Sequence, residues 1–153
     1  VLYAKMDELQ REAALTSGAG WPNMTPEERM RAGQEWHLFP NHVFLMLADA
    51  SIAYRARPNG DDPDSCIFDI WSLLRYAPGA EPTLVREFIP DWKANTVADF
   101  GLILSQDFQN FGKVQQGMKS SGFKGSRTNP LQETEIPNMH RTLAEYIART
   151  AKA

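Results

Sequence analysis

Residues 35–79 read EWHLFPNHVFLMLADASIAYRARPNGDDPDSCIFDIWSLLRYAPG, and their texture decides what kind of fold the chain adopts. Aromatic and branched residues crowd together here, interrupted by Pro, Asn-Gly and Asp, the residues that end strands and make turns. Four strands are expected, near 35–39, 42–48, 50–57 and 65–76. The segment NGDDPD at 59–64 separates the last two and reads as a turn. Its acids, Asp61, Asp62 and Asp64, are of the type that binds calcium, but they lack the spacing of a metal loop, and a solvated turn is expected instead.

Helical patterns flank this block. On the N-terminal side, YAKMDELQREAAL at 3–15 has helix-forming composition and stops near Gly18 and Gly20. In TPEERMRAG, Thr25 is an N-cap, Pro26 occupies the first helical position and Glu28 completes a capping box, so a second short helix follows. On the C-terminal side, residues 79–96 carry several prolines and read as an irregular connection with one helical turn around LVREFI. Two helices, about 97–121 and about 135–149, close the chain. There are no internal repeats, and helices, antiparallel strands and helices in this order make the fold class α+β.

The chain has 153 residues with 42% hydrophobic and 10% aromatic content, enough for one domain with a real core. Sixteen basic against nineteen acidic residues give a formal charge of −3. No stripe of Lys or Arg is present to track a phosphate backbone, so nucleic acid is not an expected partner. The single cysteine, Cys66, excludes an internal disulfide and any cysteine-rich metal site within this chain. It reads as a small buried hydrophobe on a strand. No apolar run approaches the ~20 residues that span a bilayer, and VLYAKMDELQ lacks the layout of a signal peptide. A soluble, cytoplasmic protein without a membrane partner is expected. The first residue is Val1, consistent with a start inside a longer polypeptide.

One residue in the penultimate helix looks misplaced. At ~100° per residue, Phe100, Leu104, Phe111, Val114 and Met118 form one apolar stripe, and Asp107 lies within about 20° of its centre. Burying a Phe or Leu there would gain roughly 1.5–3 kcal/mol, whereas an unpaired buried carboxylate costs several. An inward Asp107 therefore needs a satisfier, whether a buried Arg such as Arg75 or Arg55, hydrogen-bond donors, or a metal cation.

The surroundings of Asp107 carry a resemblance. Asp107, Asn110, Gln115 and Gly117 spell D-x-x-N-x-x-x-x-Q-x-G, with FPN at Phe39–Asn41 and RPNGDD at Arg57–Asp62 upstream and QETEIPNMHRTLAEYI at the end. In this order the motifs, from about Trp36 to Ile147, resemble the catalytic domain of Rieske-type aromatic-ring-hydroxylating oxygenase alpha subunits. The resemblance implies a helix-grip (START-like) fold, an antiparallel sheet wrapped on a long helix. It also implies a mononuclear non-haem Fe(II) held by two His and one Asp, which leaves open positions for dioxygen beside an aromatic or other apolar substrate. By the match of motifs Asp107 is similar to the carboxylate ligand. Asn41, His42, Val43, Ile103 and Phe111 would line the substrate pocket, and Asn110 and Gln115 would either hydrogen-bond the Asp107 carboxylate or nearby backbone, or cap polar gaps between helix and sheet.

The departures from that pattern shape the expectation. A Rieske [2Fe-2S] cluster cannot be built with one cysteine, and the D-x-x-H-x-x-x-x-H motif that supplies the family's histidines upstream of FPN is absent. Residues 1–153 therefore read as a single domain, the C-terminal portion of the catalytic domain, with the Rieske domain outside the chain and this portion inactive by itself. Family resemblance further implies a ferredoxin or reductase as electron donor, a trimer of alpha subunits and, in some members, a beta subunit. His37 and His42 have the spacing of the missing pair, but residues five apart on a strand point to opposite faces unless the chain turns at Pro40 and Asn41. His37 reads as a satisfied strand histidine and His140 as a hydrogen-bonded core histidine. The alternative function is a non-catalytic helix-grip module that encloses a hydrophobic small molecule.

Overall fold

The computed structural model describes residues 2–90 and 97–150. The chain divides into two units, one made of 1–82 and 128–153, the other of 83–127.

In the first unit, helix α1 (Leu2–Thr16) is followed by α2 (Pro26–Ala32). The capping box at the start of α2 is formed as the sequence predicts. Thr25 Oγ1 accepts from the Glu28 amide at 3.2 Å, and Glu28 Oε2 accepts from the Thr25 amide at 2.7 Å, so two otherwise orphaned donors are satisfied. Arg29 of α2 grips Asp7 of α1 through both guanidinium branches, its Nη2 donating to Asp7 Oδ2 at 2.9 Å, and lies over the Trp21 ring at 5.9 Å. This pairing holds the Asp7 carboxyl below its ordinary range.

Four antiparallel strands follow in the order β1-β2-β3-β4: β1 (Glu35–Leu38), β2 (His42–Met46), β3 (Ala50–Pro58) and β4 (Cys66–Leu74). The α+β expectation holds, with strands within a few residues of the predicted limits. Trp36 Nε1 donates to the Ala32 carbonyl at 2.7 Å, which ties β1 to the end of α2. The NGDDPD turn joins β3 and β4, where Asn59 Nδ2 donates to Ser65 Oγ at 2.9 Å and the Asp64 amide to Asp62 Oδ1 at 2.9 Å. Helix α4 (Glu135–Thr150) meets the β1 end of the sheet, with the Tyr146 and Phe39 rings 5.1 Å apart.

The second unit holds α3 (Val97–Met118), which is broken at Gly101 (φ 73°, ψ 169°). A continuous helix would set Phe100 and Phe108 about 12 Å apart along its axis. The break folds Phe100 back, so that its ring meets Phe108 edge-on at 5.0 Å. Phe108 is buried and in turn contacts Phe111 at 5.5 Å. The predicted helical turn around 84–89 is not formed. Leu84, Val85 and Phe88 are all highly exposed, and so short a helix without a surface to dock on does not repay its nucleation cost. The rest of that predicted connection, 91–96, lies outside the described residues.

Large buried side chains are scarce. Among the described residues Ala14, Ala53 and Phe108 are the buried hydrophobics, while Trp36, Leu38, Leu73 and many others stand exposed. Cys66 is exposed at the start of β4, where it pairs with Pro58 at the very end of the ladder. The expectation of a buried thiol is corrected accordingly.

The β3–β4 ladder is clamped by charge. Asp69 Oδ2 accepts from Arg57 Nε at 2.6 Å and from Arg55 Nε and Nη2 at 2.9 and 2.8 Å, and its Oδ1 accepts from Arg57 Nη2 at 3.0 Å. These bonds, those from Arg57 foremost, hold the Asp69 carboxyl far below its ordinary value of 3.8 and raise Arg57 above its own. The folded carboxyl thus titrates below the unfolded one. Its stabilisation is whole above the unfolded value and is lost as pH falls below it. Replacing Asp69 by Asn is expected to cost about 1–2 kcal/mol at pH 7, allowing for the partial exposure of both arginines. It should also flatten the decline of the melting temperature as pH falls below about 4, read by circular dichroism. At Gly101 an added Cβ would meet no atom within 4 Å, so the cost of Gly101→Ala is backbone strain alone, about 1–3 kcal/mol. The expected sign is loss of the Phe100 ring-current shift on Phe108 in NMR spectra.

Candidate functional site

The register of the sheet sorts its side chains onto two faces. Leu38 stands opposite His42, His42 opposite Arg55 and Arg55 opposite Asp69. The next row inward on the same face is Trp36, Phe44, Ala53 and Trp71, followed by Met46, Ser51 and Leu73. The other face carries His37, Val43, Tyr54 and Ile70 in one row. The chain does turn at Pro40 and Asn41, yet His37 pairs with Val43 and not with His42. The two histidines therefore point to opposite faces and do not converge on one ion.

On the first face aromatic and cationic groups are stacked in a file. The His42 ring lies parallel to Phe44 at 6.4 Å and to Trp71 at 6.3 Å, and the Arg55 guanidinium sits 5.3 Å from the Trp71 ring centre. Beyond Phe44 the face opens into a cavity of about 700 Å³, lined by Trp36, Leu38, Phe44, Met46, Ser51 and Leu73 together with His37. Its size and apolar lining suit a small hydrophobic molecule. A second hollow of about 350 Å³ sits at the β3–β4 turn, among Arg57, Asp61, Asp62 and Cys66.

The predicted pocket residues fall as follows. His42 shares the face of the larger cavity, whereas Val43 alternates to the opposite face. Asn41 lies in the β1–β2 turn, where its Nδ2 donates to the Ala56 carbonyl at 2.7 Å. Ile103 and Phe111 belong to α3 in the second unit, one turn to either side of Asp107. Sequence reading missed Phe44, Met46 and Ser51. Phe44 and Met46 were accessible in principle, since they follow His42 at the two-residue spacing of one strand face. Ser51 joins them only through the β2–β3 pairing.

Of the apolar stripe expected on α3, Phe100 folds back at Gly101 and Leu104 is half-buried, while Phe111, Val114 and Met118 are exposed and do not point inward. Ile103 is 75% exposed, Phe111 49% and Val114 56%, and Asp107 is exposed with them. The buried positions are Ser105 and Phe108, next to the stripe, because Phe100 folds back at Gly101 onto that side of the helix. Asp107 forms no ion pair or hydrogen bond among the described residues. Arg55 has Asp69 as its carboxylate partner, which removes it as a counter-ion for Asp107. Asn110 is exposed and Gln115 half-buried on the same helix.

No group of three or more His, Cys, Asp and Glu side chains is placed to hold a metal ion among the described residues. The residues present therefore do not by themselves complete a two-His, one-carboxylate site. His140 is exposed on α4 and is not the core histidine expected from its apolar neighbours. Among the described residues no helix is long and apolar enough to cross a membrane.

A family model described as ring hydroxylating alpha subunit (catalytic domain) matches residues 3–149. No curated protein and no solved structure matches the chain. The family is one of oxidoreductases that use non-haem iron. With the match running from α1 through α4, and the α+β architecture in place, the chain belongs to the catalytic-domain family of ring-hydroxylating oxygenase alpha subunits.

Proposed function

We propose that the chain is part of an oxygenase alpha subunit that hydroxylates an aromatic or other apolar ring with dioxygen, and that Asp107 is the carboxylate ligand of its mononuclear Fe(II). The setting of Asp107 on α3 carries this reading. A carboxylate that forms no side-chain hydrogen bond or ion pair among the described residues, exposed among Ile103, Phe111 and Val114, is a hard oxygen donor of the kind that takes a divalent cation. Asn110 and Gln115, further along the helix, are the side chains proposed to orient the carboxylate.

The two imidazole ligands are not supplied by the described residues. On this reading they lie in polypeptide upstream of the chain, as does the Rieske [2Fe-2S] domain that receives electrons from a ferredoxin or reductase. Residues 1–153 are then the C-terminal portion of one helix-grip catalytic domain. Support comes from the antiparallel sheet and the long α3, the two components such a fold needs, and from the many apolar side chains left exposed. A trimeric alpha subunit, with or without a beta subunit, and a cytoplasmic setting complete the proposal. The cavity over Phe44 and Met46, with His42 on the same face, is the proposed seat of the ring. The same cavity favours the second reading, a module that encloses a hydrophobic molecule without chemistry.

Iron content separates the two. In the full-length alpha subunit, Asp107→Ala is expected to abolish bound iron measured by plasma emission, and full retention would falsify the ligand assignment. The 153-residue chain alone is expected to hold little iron at neutral pH, because a single carboxylate is a weak ferrous site. Stoichiometric iron in it would overturn the upstream placement of the histidines.

A further inference from the structure

Ser51 is a polar side chain on the sheet face that lines the cavity with Trp36, Phe44, Met46 and Leu73. His37, also at the cavity, alternates to the opposite face with Val43. Ser51 is 7% exposed, at the centre of the sheet between Met46 and Leu73. Its hydroxyl donates a long 3.4 Å bond to the Ile52 carbonyl. Its oxygen accepts from no donor among the described residues.

A serine oxygen has two acceptor lone pairs, and leaving them unpaired in an apolar, nearly buried setting is unfavourable. Packing alone would be served better by alanine. We infer that the ring seated in this cavity carries a hydrogen-bond-donating substituent, a hydroxyl or amino group, which donates to Ser51 Oγ. With its proton turned to the Ile52 carbonyl, Ser51 Oγ offers the cavity an acceptor, which suits a donor better than a carbonyl or ether oxygen. Apolar walls hold the ring, and the Ser51 acceptor selects its orientation. This inference rests on the cavity being the seat of the ring.

The test uses the whole chain and four probes of similar size. Phenol and aniline have a donor, anisole has an acceptor only, and toluene has neither. Binding is measured by isothermal titration to the wild type, Ser51→Ala and Ser51→Cys, the last preserving side-chain bulk, with circular dichroism confirming that each variant folds. Both substitutions are expected to weaken phenol and aniline by about ten-fold, the loss of one hydrogen bond. Toluene and anisole should change by less than about two-fold. Equal effects on all four probes, or none on phenol and aniline, would overturn the role of Ser51 while leaving the ring site intact. Failure of every probe to bind the wild type would remove the ring site and this inference together.

Discussion

One carboxylate sets the geometry on which the sheet depends. Asp69 is gripped by Arg55 and Arg57 from the neighbouring strand, and all three lie on a single face. A one-residue slip of β4 against β3 would carry Asp69 to the opposite face and leave two guanidinium groups without their acceptor. The clamp therefore does more than add a bond. It selects the register in which Trp71 stands beside His42 and Leu73 beside Ser51, and with it the face on which the cavity opens. The stacking of Arg55 on Trp71 extends this selection one row inward.

The helix that bears Asp107 follows a different constraint. Gly101 adopts a conformation open essentially to glycine, and the resulting break lets Phe100 cover Phe108. This aromatic pair buries one side of α3. The stripe of Ile103, Asp107, Phe111 and Val114 is left uncovered in this chain. Periodicity placed Asp107, Phe111 and Val114 on one side of the helix. It could not tell that the face they share is open, because periodicity specifies which residues are neighbours on a helix and not what lies against them.

Legibility followed the range of the interactions involved. The capping box at Thr25 and Glu28 and the turn at 59–64 were readable because each is complete within a few residues. The four strands were readable from composition and from the turn residues between them. The turn around 84–89 was misread, since its helical propensity has no docking surface to support it. Cys66 and His140 were misread for the related reason that burial depends on partners far away in the chain. Of the candidate site, Asp107 and its neighbours were picked out by pattern and motif, and His42 by its place beside FPN. Ser51 carries no local signal, being one small polar residue between apolar ones.

By itself the sequence determined the α+β class, the order of the elements and the family, because these rest on local propensity, turn chemistry and motifs written consecutively in the chain. Only the tertiary structure decided that His37 and His42 part to opposite faces and that His42, Phe44 and Ser51 share one. Strand register depends on which residues pair across the ladder. That is settled by contacts such as the Asp69 clamp, whose partners stand 12 and 14 residues apart, beyond the reach of any local pattern.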